Sequence, residues 1–136
     1  MDSAQAGNAT YRFSAERTPR FLRVTGTGTN STADLLRFLS DSYQAVRESG
    51  SDSVLLVLNF AGPSLSLGSI YDVVAEKCAH GRELRRVACV DQNTEHVADR
   101  AEFTELAAIK LGVNFRMFRS VADAEEWLNA ERDSRT

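Results

Sequence analysis

The period of hydrophobic and polar positions changes along the chain, and each change marks an element. Tyr11, Phe13 and Ala15 alternate with Thr10, Arg12 and Ser14, the period of a strand with one buried face. Thr18 and Pro19 turn the chain, and Phe21, Leu22, Arg23, Val24 and Thr25 follow as a second strand. The link between them is too short for a helical crossover, so the two are expected to form an antiparallel hairpin. Leu35, Leu36, Leu39, Tyr43 and Val46 then recur at helical spacing behind Ser31 or Thr32 as the cap, until Gly50 supplies a stop. Next comes the unbroken apolar run of Val54, Leu55, Leu56, Val57 and Leu58. Without alternation both of its faces need cover, which predicts an interior strand in a sheet flanked by helices.

After that strand, Asn59, Phe60, Ala61, Gly62 and Pro63 read as a turn, and Ser66 opens a helix carried by Ile70, Val73, Val74 and Cys78. Gly81 sits in the C-terminal capping position of that helix. Residues 86–90 repeat the apolar run as a fourth strand, reached by a right-handed parallel crossover. A third helix is expected from Glu95 to Leu111, with Val97, Ala101, Leu106, Ala108 and Ile109 inward and Gly112 ending it. Residues 114–118 mix Phe115, Met117 and Phe118 with Arg116, the pattern of a half-exposed strand near an edge. Ser120 and Asp123 make a near capping box for a last helix whose Val121, Ala124, Trp127 and Leu128 face inward. The order predicts an α/β fold: a mixed, mostly parallel five-stranded sheet with an N-terminal antiparallel hairpin and about four covering helices. It is read as a single domain over residues 10–129, with flexible tails at 1–9 and 130–136.

Composition narrows the class. The 136 residues suffice to bury an apolar core without disulfides or metal. No segment approaches the roughly 20 apolar residues of a membrane span. Residues 1–10 are polar, carry Asp2 and resemble neither a signal nor a transit peptide, so a cytoplasmic location is expected. A net charge of −3 argues against a general nucleic-acid binder. Arg82, Arg85 and Arg86 form a basic cluster that reads as solvated helix surface. Cys78 and Cys89 lack metal-ligand spacing and read as buried free thiols.

Candidate chemistry is sparse. Gly26 and Gly28 invite a dinucleotide reading, but position 31 is Ser31 where a third glycine belongs, and the next strand ends in Asn59 where a ribose would need an acid. A sharp turn carrying permissive glycines is the better reading. His96, Asp99 and Glu102 share helical spacing beside Glu95, yet no second histidine or cysteine completes a metal site, and a charged solvated face accounts for them. His80 at a helix end is explained by the helix dipole. Gly-x-Ser-x-Gly is absent and no catalytic constellation stands out, so no enzyme and no cofactor are expected.

Across residues 11–128 the chain resembles the STAS-like group, the bacterial anti-sigma-factor antagonists and the proteins compared with CRAL-TRIO lipid-binding domains. The resemblance rests on element order, on Val24, Thr25 and Gly26 entering a capped helix, and on Val57, Leu58 and Asn59 ending the central strand. It rests most on the run from Phe118 through Ser120, Asp123, Ala124, Glu125 and Glu126 to Trp127 and Leu128. It implies a non-enzymatic regulatory module with a protein partner, such as a kinase or phosphatase, that modifies a serine opening the helix after the central strand. Ser66 and Ser69 are the matching positions, without the acidic residue that precedes them in the antagonists, and Asn59 stands where these commonly carry Asp. As a helix cap alone, Ser66 has reason enough to be serine. The expected working surface comprises Asn59, Phe60, Pro63, Leu65 and Leu67, at the strand end where open α/β sheets bind ligands. A protein, a second copy of the chain or a small apolar molecule such as a lipid stays open as the occupant. A cavity of a few hundred Å³ lined by Phe60, Pro63, Leu65 and Leu67 would favour the small molecule.

Overall fold

The computed structural model describes residues 9–96 and 98–130. Strands β1 (Arg12–Arg17) and β2 (Leu22–Thr29) form the expected hairpin, with Arg12 opposite Thr27 and Arg17 opposite Leu22. The chain continues through α1 (Thr32–Ser49), β3 (Ser53–Ala61), α2 (Leu67–Gly81), β4 (Arg86–Asp91), α3 (Ala98–Lys110), β5 (Phe115–Phe118) and α4 (Val121–Asn129). The sheet order is β1-β2-β3-β4-β5, parallel from β2 to β5. The fold is therefore α/β with a five-stranded mixed sheet and four helices, and β3 is its central strand. Each crossover steps one strand further in the same direction, so a common handedness lays α1, α2 and α3 on one face. The chain then crosses under β5, and α4 covers β3, β4 and β5 from the other face.

This division makes two cores. Leu22, Val24, Leu56, Phe60, Val87 and Cys89 face the three helices, while Leu55, Val57, Ala88 and Val90 face Ala124 and Leu128 of α4. Val54 and Leu55, neighbours on β3 that point to opposite faces, are both fully buried. Each such side chain contributes about 1.5–3 kcal/mol. The strand thus belongs in the middle of the sheet, as its unbroken apolar run requires.

The helix ends follow local chemistry. Ser31, Ser66 and Ser120 cap α1, α2 and α4, each side-chain oxygen accepting from the backbone amide three residues on. Gly50 closes α1 at φ 78°, where its N–H reaches the carbonyl of Val46 at 3.1 Å.

Four expectations are corrected. Gly26 and Gly28 lie inside β2, not in a turn: the inward positions run Leu22, Val24, Gly26, Gly28, and a Cβ on Gly26 would stand 2.3 Å from Phe38 Cδ1. The rings of Phe38 and Phe60, edge to face at 5.6 Å, occupy the space those glycines leave. β3 runs on to Ala61, so Asn59 and Phe60 are strand residues. Gly81 is the last residue of α2 instead of a left-handed cap, and its missing side chain admits Val113 and the Tyr43 hydroxyl. Helix α3 starts at Ala98, and its Leu106 and Ile109 point outward, 64% and 52% exposed. Its inner face is instead the small set Ala101, Thr104 and Ala108. The expected tails and the inward placement of Val97 fall outside the described residues, apart from Ala9 and Ala130.

Candidate functional site

A cavity of about 380 Å³ lies between the helical face of the sheet and helices α1, α2 and α3. Its cause is the composition of α3: where a packed helix would place leucine, Ala101, Thr104 and Ala108 stop short of the sheet. The floor is Leu56, Leu58, Cys89 and Met117, and the α2 wall is Ile70, Val73, Val74 and Cys78. The volume falls within the range of small-molecule sites, about 300–1,000 Å³, and the lining is predominantly apolar, as such sites require.

Polar groups gather at the end where the parallel strands finish. Here residues 62–65, between β3 and α2, cross the mouth with their carbonyls tied down by neighbouring loops. Asn30 Nδ2 donates to Pro63 O at 2.7 Å, and Asn93 Nδ2 donates to Phe60 O at 2.6 Å and Gly62 O at 3.3 Å. Arg100 Nε donates to Leu65 O at 3.0 Å. His96 bridges Asp91 Oδ2, at 2.5 Å from Nδ1, and Gly62 O, at 3.0 Å from Nε2. Asp91 Oδ1 accepts from the Asn93 amide at 3.0 Å, so this carboxylate organises the loop that carries the other donors. Gly62 itself turns out of β3 at φ 113°, a conformation other residues rarely adopt.

The opposite end of the cavity is different. Tyr43, on α1, and Val113, Cys78 and Cys89 close it. Tyr43 is 7% exposed; its Oη lies 3.2 Å from where a Cβ on Gly81 would stand, and the His80 ring lies 5.8 Å from its own. Burial, and then the thiols of Cys89 and Cys78, push its ionisation well above the usual tyrosine range. Burial pushes the Cys89 thiol up as well, with the Asp91 carboxylate adding to it, so Cys89 stays protonated and unreactive near neutral pH.

The sequence-predicted residues scatter around this cavity. Of these, Leu65 lines it, with its neighbour Ser64. Phe60 is 1% exposed and belongs to the core behind Gly26, which removes it from any surface. Asn59 is exposed on the opposite face of the sheet, beyond the reach of α4. Pro63 and Leu67 are exposed on the outside of the loop and of α2. Ser66 accepts from the Ser69 amide at 3.1 Å and bonds its hydroxyl at 3.0 Å, an N-cap at the surface. His96 precedes α3 and turns to Asp91, away from any shared face with Asp99 and Glu102. No cluster of metal-ligating side chains occurs among the described residues. At the N-terminus of α1, Asp34 accepts from the Thr29 amide at 2.9 Å and its Oδ2 lies 2.8 Å from where a Gly28 Cβ would stand. A carboxylate thus sits where the glycine reading would have put a pyrophosphate. Of the basic cluster, Arg82 donates to Leu111 O at 3.1 Å and Arg86 to Trp127 O at 2.5 Å, so both tie elements together.

Tyr43, Asp91, Asn93 and Arg100 were not singled out from sequence. The polar run 91–96 directly behind a buried strand was the available signal, since such strand ends are where α/β sheets gather their sites. Nothing in the pattern marks Tyr43, which shares the helical spacing of its core neighbours. No helix among the described residues is long and apolar enough to cross a membrane. Compared with family models, curated proteins and solved structures, the chain matches none.

Proposed function

We propose that this chain is a non-enzymatic binding domain of STAS-like type that holds a small apolar molecule between its sheet and α2. The observation that carries this reading is the cavity of about 380 Å³ with an apolar lining and a polar mouth. A core meant only for stability gains nothing from such a void, because empty space forfeits dispersion contacts on every wall. The neutral dye N-phenyl-1-naphthylamine tests it. Its fluorescence should rise on saturable binding of one molecule per chain, and Ala101→Phe, which puts a ring into the space, should abolish the rise while the near-ultraviolet circular dichroism persists. A wild-type protein that leaves the dye dark rules the reading out.

The second reading is protein docking on the outside of α2. Leu67 and Tyr71 are 43% and 44% exposed there, beside Ser66 and Ser69, the apolar-and-hydroxyl surface that a phosphorylation-controlled partner would use. Asp and Asn both cap helices, so Ser66→Asp and Ser66→Asn should fold alike, while Ser66→Ala costs about 0.5–2 kcal/mol. Loss of a captured partner in the Asp variant and retention in the Asn variant assign the effect to charge. Retention in both removes the switch.

A further inference from the structure

Helix α2 places one charged residue on the cavity wall. Its inner stripe runs from Ile70 through Val73, Val74 and Cys78 to the buried Gly81, and position 77 falls inside that stripe, a turn after Val73 and a turn before Gly81. The residue there is Lys77, half-buried and part of the lining. Asp72 and Glu76, the acidic residues of the same helix, are exposed on its other side. A lysine stem suits an apolar wall, but an ammonium taken from water needs an anion beside it.

The protein does not supply that anion. Lys77 belongs to no ion pair among the described residues. Asp91, the carboxylate of the lining, is engaged by His96 Nδ1 and by the Asn93 amide. The charged residues around the cavity are otherwise cations, Lys77, Arg100 and Arg119, although the chain as a whole carries −3. A wall whose sign opposes that of its own protein draws an anion toward the space it encloses. Of the three cations, Arg100 already donates to Leu65 O and meets Asp99, and Arg119 is exposed. Lys77 is the one set in the apolar stripe and left without a partner.

Resting on the cavity reading above, we propose that the ligand is a carboxylic acid with a hydrocarbon body, bound as its anion, and that Lys77 Nζ donates to the carboxylate. The hydrocarbon then lies along Leu56, Met117, Ala101 and Ala108. One negative charge matches one ammonium. An alcohol of the same length fills the space and leaves the lysine unpaired, and a phosphate monoester brings a second charge that this wall does not neutralise. Lys77 is thereby the residue that selects fatty acids over alcohols of the same shape.

The test compares octanoate, 1-octanol and octyl phosphate on the full chain near neutral pH, by competition with N-phenyl-1-naphthylamine. Lys77→Met keeps most of the apolar stem and removes the charge. It should bind octanoate about tenfold less tightly than the wild type, the size of one charge-assisted hydrogen bond, and octanol equally well. Lys77→Arg should keep most of the octanoate affinity, because a guanidinium also donates to a carboxylate. With ¹³C at the octanoate carboxyl, the bound signal should titrate at lower pH than free octanoate on the wild type, since a neighbouring ammonium favours the ionised form. On Lys77→Met it should return toward the free value. If Lys77→Met does not fold, the carboxyl titration on the wild type still decides. Octanoate affinity unchanged in Lys77→Met, or lost in step with that of octanol, overturns the role of Lys77 and leaves the cavity reading standing. Octyl phosphate binding more tightly than octanoate overturns the carboxylate class. Failure of all three compounds and of the dye brings down the cavity reading itself.

Discussion

Tyr11 and Tyr43 are held protonated by the fold. At Tyr11 burial comes first, followed by the hydrogen bond its hydroxyl donates to Asp41 at 2.7 Å; at Tyr43 burial comes first and the two thiols follow. An unfolded tyrosine ionises near pH 10. Above that pH the unfolded chain has released protons that the folded chain keeps, so stability falls as pH rises. Both contributions are whole below about pH 10 and drain away as pH climbs toward the folded values. The urea midpoint should therefore drop above that point, and Tyr43→Phe should remove part of the drop. A variant profile as steep as the parent's takes Tyr43 out of the account. Residues of this kind were only partly legible. Ser31, Ser66, Ser120 and Gly50 could be read as helix ends because a cap acts on its own few neighbours. Gly26 could not, because the reason for it is Phe38, twelve positions away, and Phe60 on another strand. Glycine in a strand interior looks like a turn until the ring that needs its space is known.

Among the elements, the segment 62–65 is held more by side chains from outside than by its own backbone. Asn93 alone ties the carbonyls of Phe60 and Gly62, one at the end of β3 and one just past it. Replacing it with alanine should cost about 0.5–1.5 kcal/mol for each bond lost. Hydrogen exchange should quicken at the amides of Gly62, Ser64 and Leu65, while those of Val54 to Val57 keep their protection. Uniform acceleration across β3 would show the segment to be part of the global unit instead. Element type and order were legible throughout, since the change between periods of 2 and 3.6 survives without tertiary information. Orientation was not always so. Leu106 and Ile109 satisfy the helical pattern as well as Ala101 and Ala108 do, and periodicity assigns the larger residues to the core. In α3 the small residues face in, and this inversion opens the cavity. A hydrophobicity pattern does not register where small residues leave space.

At the scale of the molecule the two faces of the sheet do different work. One carries α4 alone, clamped through Leu128, Ala124 and the pair of Arg23 with Glu125 at 3.1 Å. The other carries three helices and the cavity. Helix α2 rests chiefly on α1 and α3, spanning the space like a roof over a room, with Ile70, Val73 and Val74 indoors. Leu67 and Tyr71, on the same helix, face the weather. An α-helix moves as one body over a length such as this. Whatever tilts its inner side to make room for a tenant therefore carries Leu67, Ser69 and Tyr71 along by a comparable distance. Interior and exterior of this protein are two sides of one shingle.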